Sequence, residues 1–413
     1  MLDQVRWGDT GPWVPEHVGS LEDAGVGMYA GIGGLAHTLA ELRLLRAWSD
    51  EERRLADGTA ARIRAGLSTR EDASWSDGLA SDIGALEALD EPGSEIALHR
   101  LLELAVPHGW TQHWWDELGA DKVVTDIIGG TTGVLLAALW SSGDESRAVA
   151  EHAVTALLAC TEETPTGPTW PIIPTAQRPD DLRELPNFSH GSAGAAAALA
   201  LTGRILGRPD LVETAVRGAE HLVAMANTEH HGFELRNAFP QRDTDEFPFS
   251  YGWCHGPTGT SYLFAALERA GVAEVAGESP ASWHRRCLTS VVNSGLPMRI
   301  SPGFWDNDGR CCGTAGVGDA FLDSWQRLRD PYDLAFAETL GLALAERAIV
   351  DGTGASWRFV EHRNPEPLLP AGIGWMQGAA GIAAYLLRLG RVLADGPDAP
   401  AVERMENWWA LGR

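Results

Sequence analysis

The chain has 413 residues, 44% of them hydrophobic, with 57 acidic against 32 basic residues and a formal net charge of −25. So anionic a surface repels nucleic acid and acidic membranes, which excludes both as main partners. No apolar run reaches the roughly 18 residues of a membrane span, and Met1-Leu2-Asp3-Gln4-Val5-Arg6-Trp7 lacks the basic-then-apolar order of a secretory signal, so a cytoplasmic protein is expected.

Along the chain, Gly-x-x-Gly recurs at Gly31, Gly130, Gly191, Gly256, Gly313 and Gly378, with a degraded copy at Asp77-Gly78-Leu79-Ala80-Ser81-Asp82-Ile83-Gly84. Seven copies at a loose period of about 60 residues signal one repeated supersecondary unit. Each copy opens an apolar segment, such as Val134-Leu135-Leu136-Ala137-Ala138-Leu139-Trp140, which reads as a buried helix without a polar face.

Amphipathic helices lie between the copies. Ser49-Asp50-Glu51-Glu52 is a capping box ahead of Arg53–Leu67, and Asp210 with Glu213 opens Leu211–Ala226 in the same way. Asp330-Pro331 starts a helix to about Val350; Glu95–Ala105, Glu145–Ala159 and Ser282–Val292 are further helices. Each unit then reads as a polar-faced outer helix followed by an apolar inner one. Strand signals are confined to short pieces, Met298-Arg299-Ile300 and Trp357-Arg358-Phe359-Val360. The long loops Thr161–Pro186, Glu229–Tyr251 and Pro297–Arg310 run into inner helices and gather at one end. The expected architecture is one all-α domain over residues 1–413, an α/α toroid of about seven helical hairpins; two helical subdomains are the alternative.

In a closed ring, equivalent positions share one end of the barrel. The residues just before each first glycine are Ala30, Asp77, Gly129, His190, His255, Cys312 and Gln377, preceded by Tyr29, Ser76, Ile128, Ser189, Cys254, Cys311 and Met376. Polar and metal-capable residues therefore crowd one rim. Cys254, Cys311 and Cys312 suit a Zn2+ site, since thiolates are the preferred soft ligands and three protein ligands leave a fourth position open. Inert buried thiols, a disulfide, or His255 in place of one cysteine are the alternatives. Five cysteines without a signal sequence fit a reducing compartment, and Cys160 and Cys287, in outer helices, read as structural. His190 is placed to act as general acid or base, with Asp126 orienting it; a capping histidine and a first-turn carboxylate are the plain alternatives. His230, His231 and Tyr251 lie in loops feeding the rim. Among 17 tryptophans, Trp110, Trp114, Trp115, Trp170, Trp253, Trp305, Trp375, Trp408 and Trp409 fall in loops or near element ends, mostly as packing, with a groove floor for a peptide or sugar as the alternative for some.

Four stretches together resemble the lanthionine synthetase C-like family: Trp253-Cys254-His255-Gly256-Pro257-Thr258-Gly259, Cys311-Cys312-Gly313-Thr314-Ala315-Gly316, Ser189-His190-Gly191-Ser192-Ala193-Gly194 and Asp126-Ile127-Ile128-Gly129-Gly130-Thr131-Thr132-Gly133. The resemblance spans nearly the whole chain. It implies an α/α toroid with zinc held by Cys254, Cys311 and Cys312, and a catalytic histidine and acidic partner at His190 and Asp126. The family's commoner pattern has a histidine where Cys312 stands; Gly129 replaces a frequent serine and Ser250 an arginine. The implied reaction is cyclisation of a dehydrated precursor peptide bearing a leader, made by a separate dehydratase or kinase–lyase, with cysteine thiols adding to dehydroalanine or dehydrobutyrine to give lanthionine or methyllanthionine rings in antibiotic-type peptides. Other readings are a non-catalytic zinc-binding scaffold, a glutathione-adding relative, and a toroidal glycoside hydrolase or epimerase using Asp77 and Asp126.

Overall fold

A computed structural model describes residues 2–112, 122–177, 183–243, 245, 247–298, 307–352, 354–361 and 366–411. Seven of its helices begin at the Gly-x-x-Gly copies: α1 (Gly33–Arg43), α3 (Leu79–Leu89), α5 (Thr131–Trp140), α7 (Ser192–Leu206), α9 (Pro257–Arg269), α11 (Thr314–Leu328) and α13 (Ala379–Asp395). Each packs against the next, and α13 returns to α1, closing the inner ring of an α/α toroid. The outer helices are α2 (Asp50–Gly66), α4 (Ser94–Leu104), α6 (Asp144–Ala159), α8 (Pro209–Met225), α10 (Pro280–Asn293) and α12 (Pro331–Arg347).

Most outer helices pack chiefly on the inner helix before them, as in α7 with α8 and α11 with α12, whereas α2 packs equally on α1 and α3. The expected pairing order is thus reversed. Connection length is the reason: two residues, beginning with left-handed Gly207 or Arg329, turn the chain back at once, whereas the long loops climb to the rim. Ser49 makes the expected capping box and Asp330 caps Tyr332. The expected Asp210 box is absent: Pro209 starts α8, and Asp210 instead pairs with Arg208. α12 stops at Arg347, because Ile349–Val350 forms a strand, β5, against β6 (Ala355–Ser356).

Three further two-stranded hairpins decorate the ring: β1 (Arg6–Gly8) with β2 (Gly11–Trp13), β3 (Glu162–Thr164) with β4 (Gly167–Thr169), and β7 (Phe359–Val360) with β8 (Leu368–Leu369). Arg299 and Ile300 of the other expected strand piece, and Trp114, Trp115 and Trp305, lie outside the described residues.

Backbone hydrogen bonds tie the loops ahead of the inner helices into a closed circle. Tyr29 N–H donates to Ser76 O, Ser76 to Ile128, Ile127 to Ser189, Ser189 to Cys254, Cys254 to Cys311, Cys311 to Met376, and Met376 back to Tyr29, at 2.9–3.2 Å. One rung joins each neighbouring pair of repeats, so the rim residues share a level.

The second glycine of the motif explains the repeat. At Gly259 an added Cβ would meet the Trp253 carbonyl of its own loop and stand 2.7 Å from the Phe188 Cβ of the preceding repeat. In the degraded copy Ser81 fills that place and accepts from Met28 N–H at 2.6 Å. Side chains three residues before each first glycine then layer the lumen, with Trp75 stacked on Trp253 at 5.5 Å and Phe188 edge-on to Trp253.

The inner helices are not uniformly apolar, which corrects the expectation. Asp319 and Asp323 of α11 and Arg388 of α13 are buried and ion-paired in the later turns. They meet a C-terminal segment that enters the ring far enough for the Arg404 guanidinium to lie 5.7 Å from the Trp375 ring. There Arg404 pairs with Asp319 at 2.6 Å, Trp409 donates to Tyr262 O, and Met405 lies against Gly84. Each of these buried charges has a partner of opposite sign, as burial requires.

Candidate active site

The rim circle delivers the three candidate sulfurs to one point. Cys254 and Cys311 occupy the same register position in adjacent repeats and are joined by a rung; Cys312 follows directly. Cys254 Sγ lies 3.2 Å from Cys312 Sγ, and Cys312 Sγ lies 3.4 Å from Cys311 Sγ. All three sulfurs fall within 4.8 Å of one another. No disulfide links them. Cys254 and Cys311 are buried and Cys312 half-buried, so the group opens only on the Cys312 side.

The sulfurs perturb one another as a unit. Hydrogen bonds from Cys254 and Cys312, and one from Tyr29, pull the Cys311 thiol well below its usual range. The bonds to Cys254 and Cys311 push Cys312 up, and the bond to Cys311 pushes Cys254 up. The three thiols thus form one hydrogen-bonded group, and a cation that took them as ligands would displace their protons. A soft-donor cluster of this composition and closeness can hold a metal ion.

Beside the cluster, His190 Nδ1 lies 2.7 Å from Asp126 Oδ2. Asp126 is buried, and its other oxygen accepts from Gly129 N–H at 2.9 Å. The carboxylate is thereby locked and fixes the Nδ1 proton toward itself, leaving Nε2 as the nitrogen for proton exchange. The His190 and His255 rings lie 5.2 Å apart, and His255 stands outside the sulfur cluster.

The remaining sequence candidates scatter. Tyr251 lines a small cavity with Cys312, but its hydroxyl is engaged elsewhere, donating to Glu234 at 2.9 Å. His230 and His231 form an exposed 3-10 turn with positive φ. Asp77 reaches the rim, where burial pushes its carboxyl up to about 6. Cys287 is buried in α10, while Cys160 caps the end of α6 rather than lying within it. Tyr29 and Gln377 are site residues that the search for metal and acid–base chemistry passed over. Gln377 Nε2 donates to the Tyr29 hydroxyl at 2.9 Å, and burial, then the charge of Cys311, keeps Tyr29 protonated as a donor to that sulfur. Their signal was available: both occupy rim positions of the repeat register.

A family model for lanthionine synthetase C-like proteins matches residues 22–391. Among solved structures, nisin cyclase superposes with a TM-score of 0.64 over 94% of this chain and 93% of its own, at 15% identity. A GH76 α-mannanase from Bacteroides thetaiotaomicron superposes at a TM-score of 0.47 and 14% identity over 88% of this chain and 87% of its own. No curated protein sequence matches. Nisin cyclase agrees with the toroid in fold, and the family match covers the four rim loops that carry the cysteines and the His190–Asp126 pair. The chain belongs to the lanthionine synthetase C-like family.

Proposed function

We propose that the protein, acting as one domain over residues 1–413, is a zinc-dependent lanthipeptide cyclase. The observation that carries this reading is the gathering of Cys254, Cys311 and Cys312 within 4.8 Å on the rim that also holds the His190–Asp126 pair. The residues fit the ion by donor chemistry: three soft sulfurs, two of them fixed by backbone, and no fourth protein ligand grouped with them among the described residues. When bound, zinc would supply a Lewis acid that lowers the pKa of an incoming thiol and holds it as thiolate near neutral pH.

The chain's own residues account for the rest. The rim loops present the peptide cysteine to the mouth of the toroid. Its sulfur bonds to the β-carbon of dehydroalanine or dehydrobutyrine, and the C=C electron pair moves to the α-carbon. His190, oriented by Asp126, delivers a proton there directly or through a water. The thiol loses one proton and the α-carbon gains one, so the peptide's mass is unchanged. The substrate would be a leader-bearing precursor dehydrated by a separate dehydratase or kinase–lyase.

The test is incubation with dehydrated precursors, followed by thiol alkylation and mass spectrometry. Thiols that become protected at constant peptide mass support the reading. Thiols that stay alkylatable across several precursors, with folded zinc-loaded protein, overturn it.

A further inference from the structure

We propose that a cavity on the rim is a subsite for an apolar side chain adjoining the peptide cysteine; the inference rests on the cyclase reading and names part of its substrate class. The cavity, about 220 Å³, lies between the N-terminal segment and the β7–β8 hairpin. Phe359, Leu369 and Pro370 line it as apolar walls, and Tyr29, Gln377, Glu16 and His17 complete the lining.

Three observations give it an occupant. First, it adjoins the sulfur cluster, because Tyr29 stands between the two: it lines the cavity, and its hydroxyl donates to Cys311. A group in the cavity is then a neighbour of whatever thiol the cluster holds. Second, the walls are set before any ligand arrives. Val18 N–H donates to Ala371 O at 2.9 Å and Ile373 N–H to Glu16 O at 3.0 Å, while Phe359 is paired with Leu369 across the hairpin. A preformed apolar wall is the usual form of a small recognition pocket. Third, size and charge select the side chain. A cavity of ~150 Å³ already takes a benzene-sized group, so a leucine or phenylalanine side chain fits. The apolar walls and the Glu16 carboxylate disfavour an acidic one.

Thiol binding to cobalt(II)-substituted protein separates the subsite from catalysis. N-acetyl-Cys-Leu-amide and N-acetyl-Leu-Cys-amide, with their glycine and glutamate counterparts, are titrated while the sulfur-to-cobalt charge-transfer band is followed. One leucine peptide is expected to bind about 10-fold or more tighter than its glycine counterpart, and the glutamate peptide weaker than glycine. Leu369→Asp should abolish the leucine preference and leave glycine-peptide binding unchanged; Phe359→Ser serves the same purpose if that variant misfolds. Equal affinities for all side chains overturn the subsite alone. A band that no peptide alters overturns the metal–thiol reading, and the subsite falls with it.

Discussion

Cys254 donates its backbone N–H to the carbonyl of Cys311 at 3.2 Å, so one rung of the rim circle fixes two of the three clustered sulfurs. The circle consists of main-chain groups and does not depend on the thiols themselves. The donor set is therefore assembled by folding, with no ordering left for the metal to impose. Wild-type protein is expected to carry about one zinc per chain. Cys254→Ala and Cys311→Ala should lose it while keeping a wild-type far-ultraviolet circular dichroism spectrum. Elemental analysis of the purified proteins decides; a folded, metal-free wild type rules out the site.

Asp126 is held by Gly129 N–H on one oxygen and presents the other to His190. In Asp126→Asn the side-chain carbonyl could keep the first bond, but the amide nitrogen would donate where the carboxylate accepts, turning the imidazole to the wrong tautomer. Asp126→Asn should lower cyclisation by roughly 10- to 100-fold, and His190→Phe by roughly 10²–10⁴-fold, with zinc content unchanged in both. A double variant separates roles: once His190 is Phe, Asp126→Asn should cost little more. A wild-type rate in Asp126→Asn alone would remove Asp126 from the mechanism.

The toroid was readable because the Gly-x-x-Gly series marks a steric demand that recurs in each turn of the ring. That same register named Cys254, Cys311, Cys312 and His190, whose closeness needs only like positions in adjacent repeats; Asp126 lies further back in its loop, four residues before Gly130. What escaped follows from what periodicity does not encode. Arg388, Asp319 and Arg404 look like ordinary surface charges in sequence, and only the packing of α11, α13 and the C-terminal segment against one another buries and pairs them. The Asp210 cap failed because Pro209 competes for the helix start with no need of a side-chain bond. Tyr29 lay in the register, but its partnership with Cys311 crosses the closure between the last two repeats and the first, a contact between residues 282 positions apart.

Two glycines should respond to alanine in opposite directions. Gly259→Ala drives a methyl into the Trp253 carbonyl and toward Phe188 Cβ, both held by the rim. It is expected to cost about 1–3 kcal/mol or more. Gly390 lies inside α13, exposed, with nothing within 4 Å of an added Cβ. Gly390→Ala should gain about 0.5–1 kcal/mol from helix propensity. Guanidinium unfolding midpoints provide the comparison, and equal shifts for the two would contradict the packing account.

His37 is buried in α1 with its ring 5.0 Å from Trp375, and neither ring nitrogen has a hydrogen-bond partner among the described residues. Burial, then the charges of Arg404 and Arg310, push its imidazole down to about 3. Below an unfolded value near 6.5, the unfolded chain takes up a proton that the folded chain refuses. This group's contribution is therefore present at neutral pH and lost as pH falls from about 6.5 toward about 3. The slope is at most about 1.4 kcal/mol per pH unit. His37→Leu removes the titrating group at similar volume, so its loss of stability between pH 6 and pH 5 should be smaller than that of the wild type by about 1 kcal/mol. Tryptophan-fluorescence unfolding curves at the two pH values measure it. A wild type and variant that weaken equally would show that the protonated ring finds a partner in the fold.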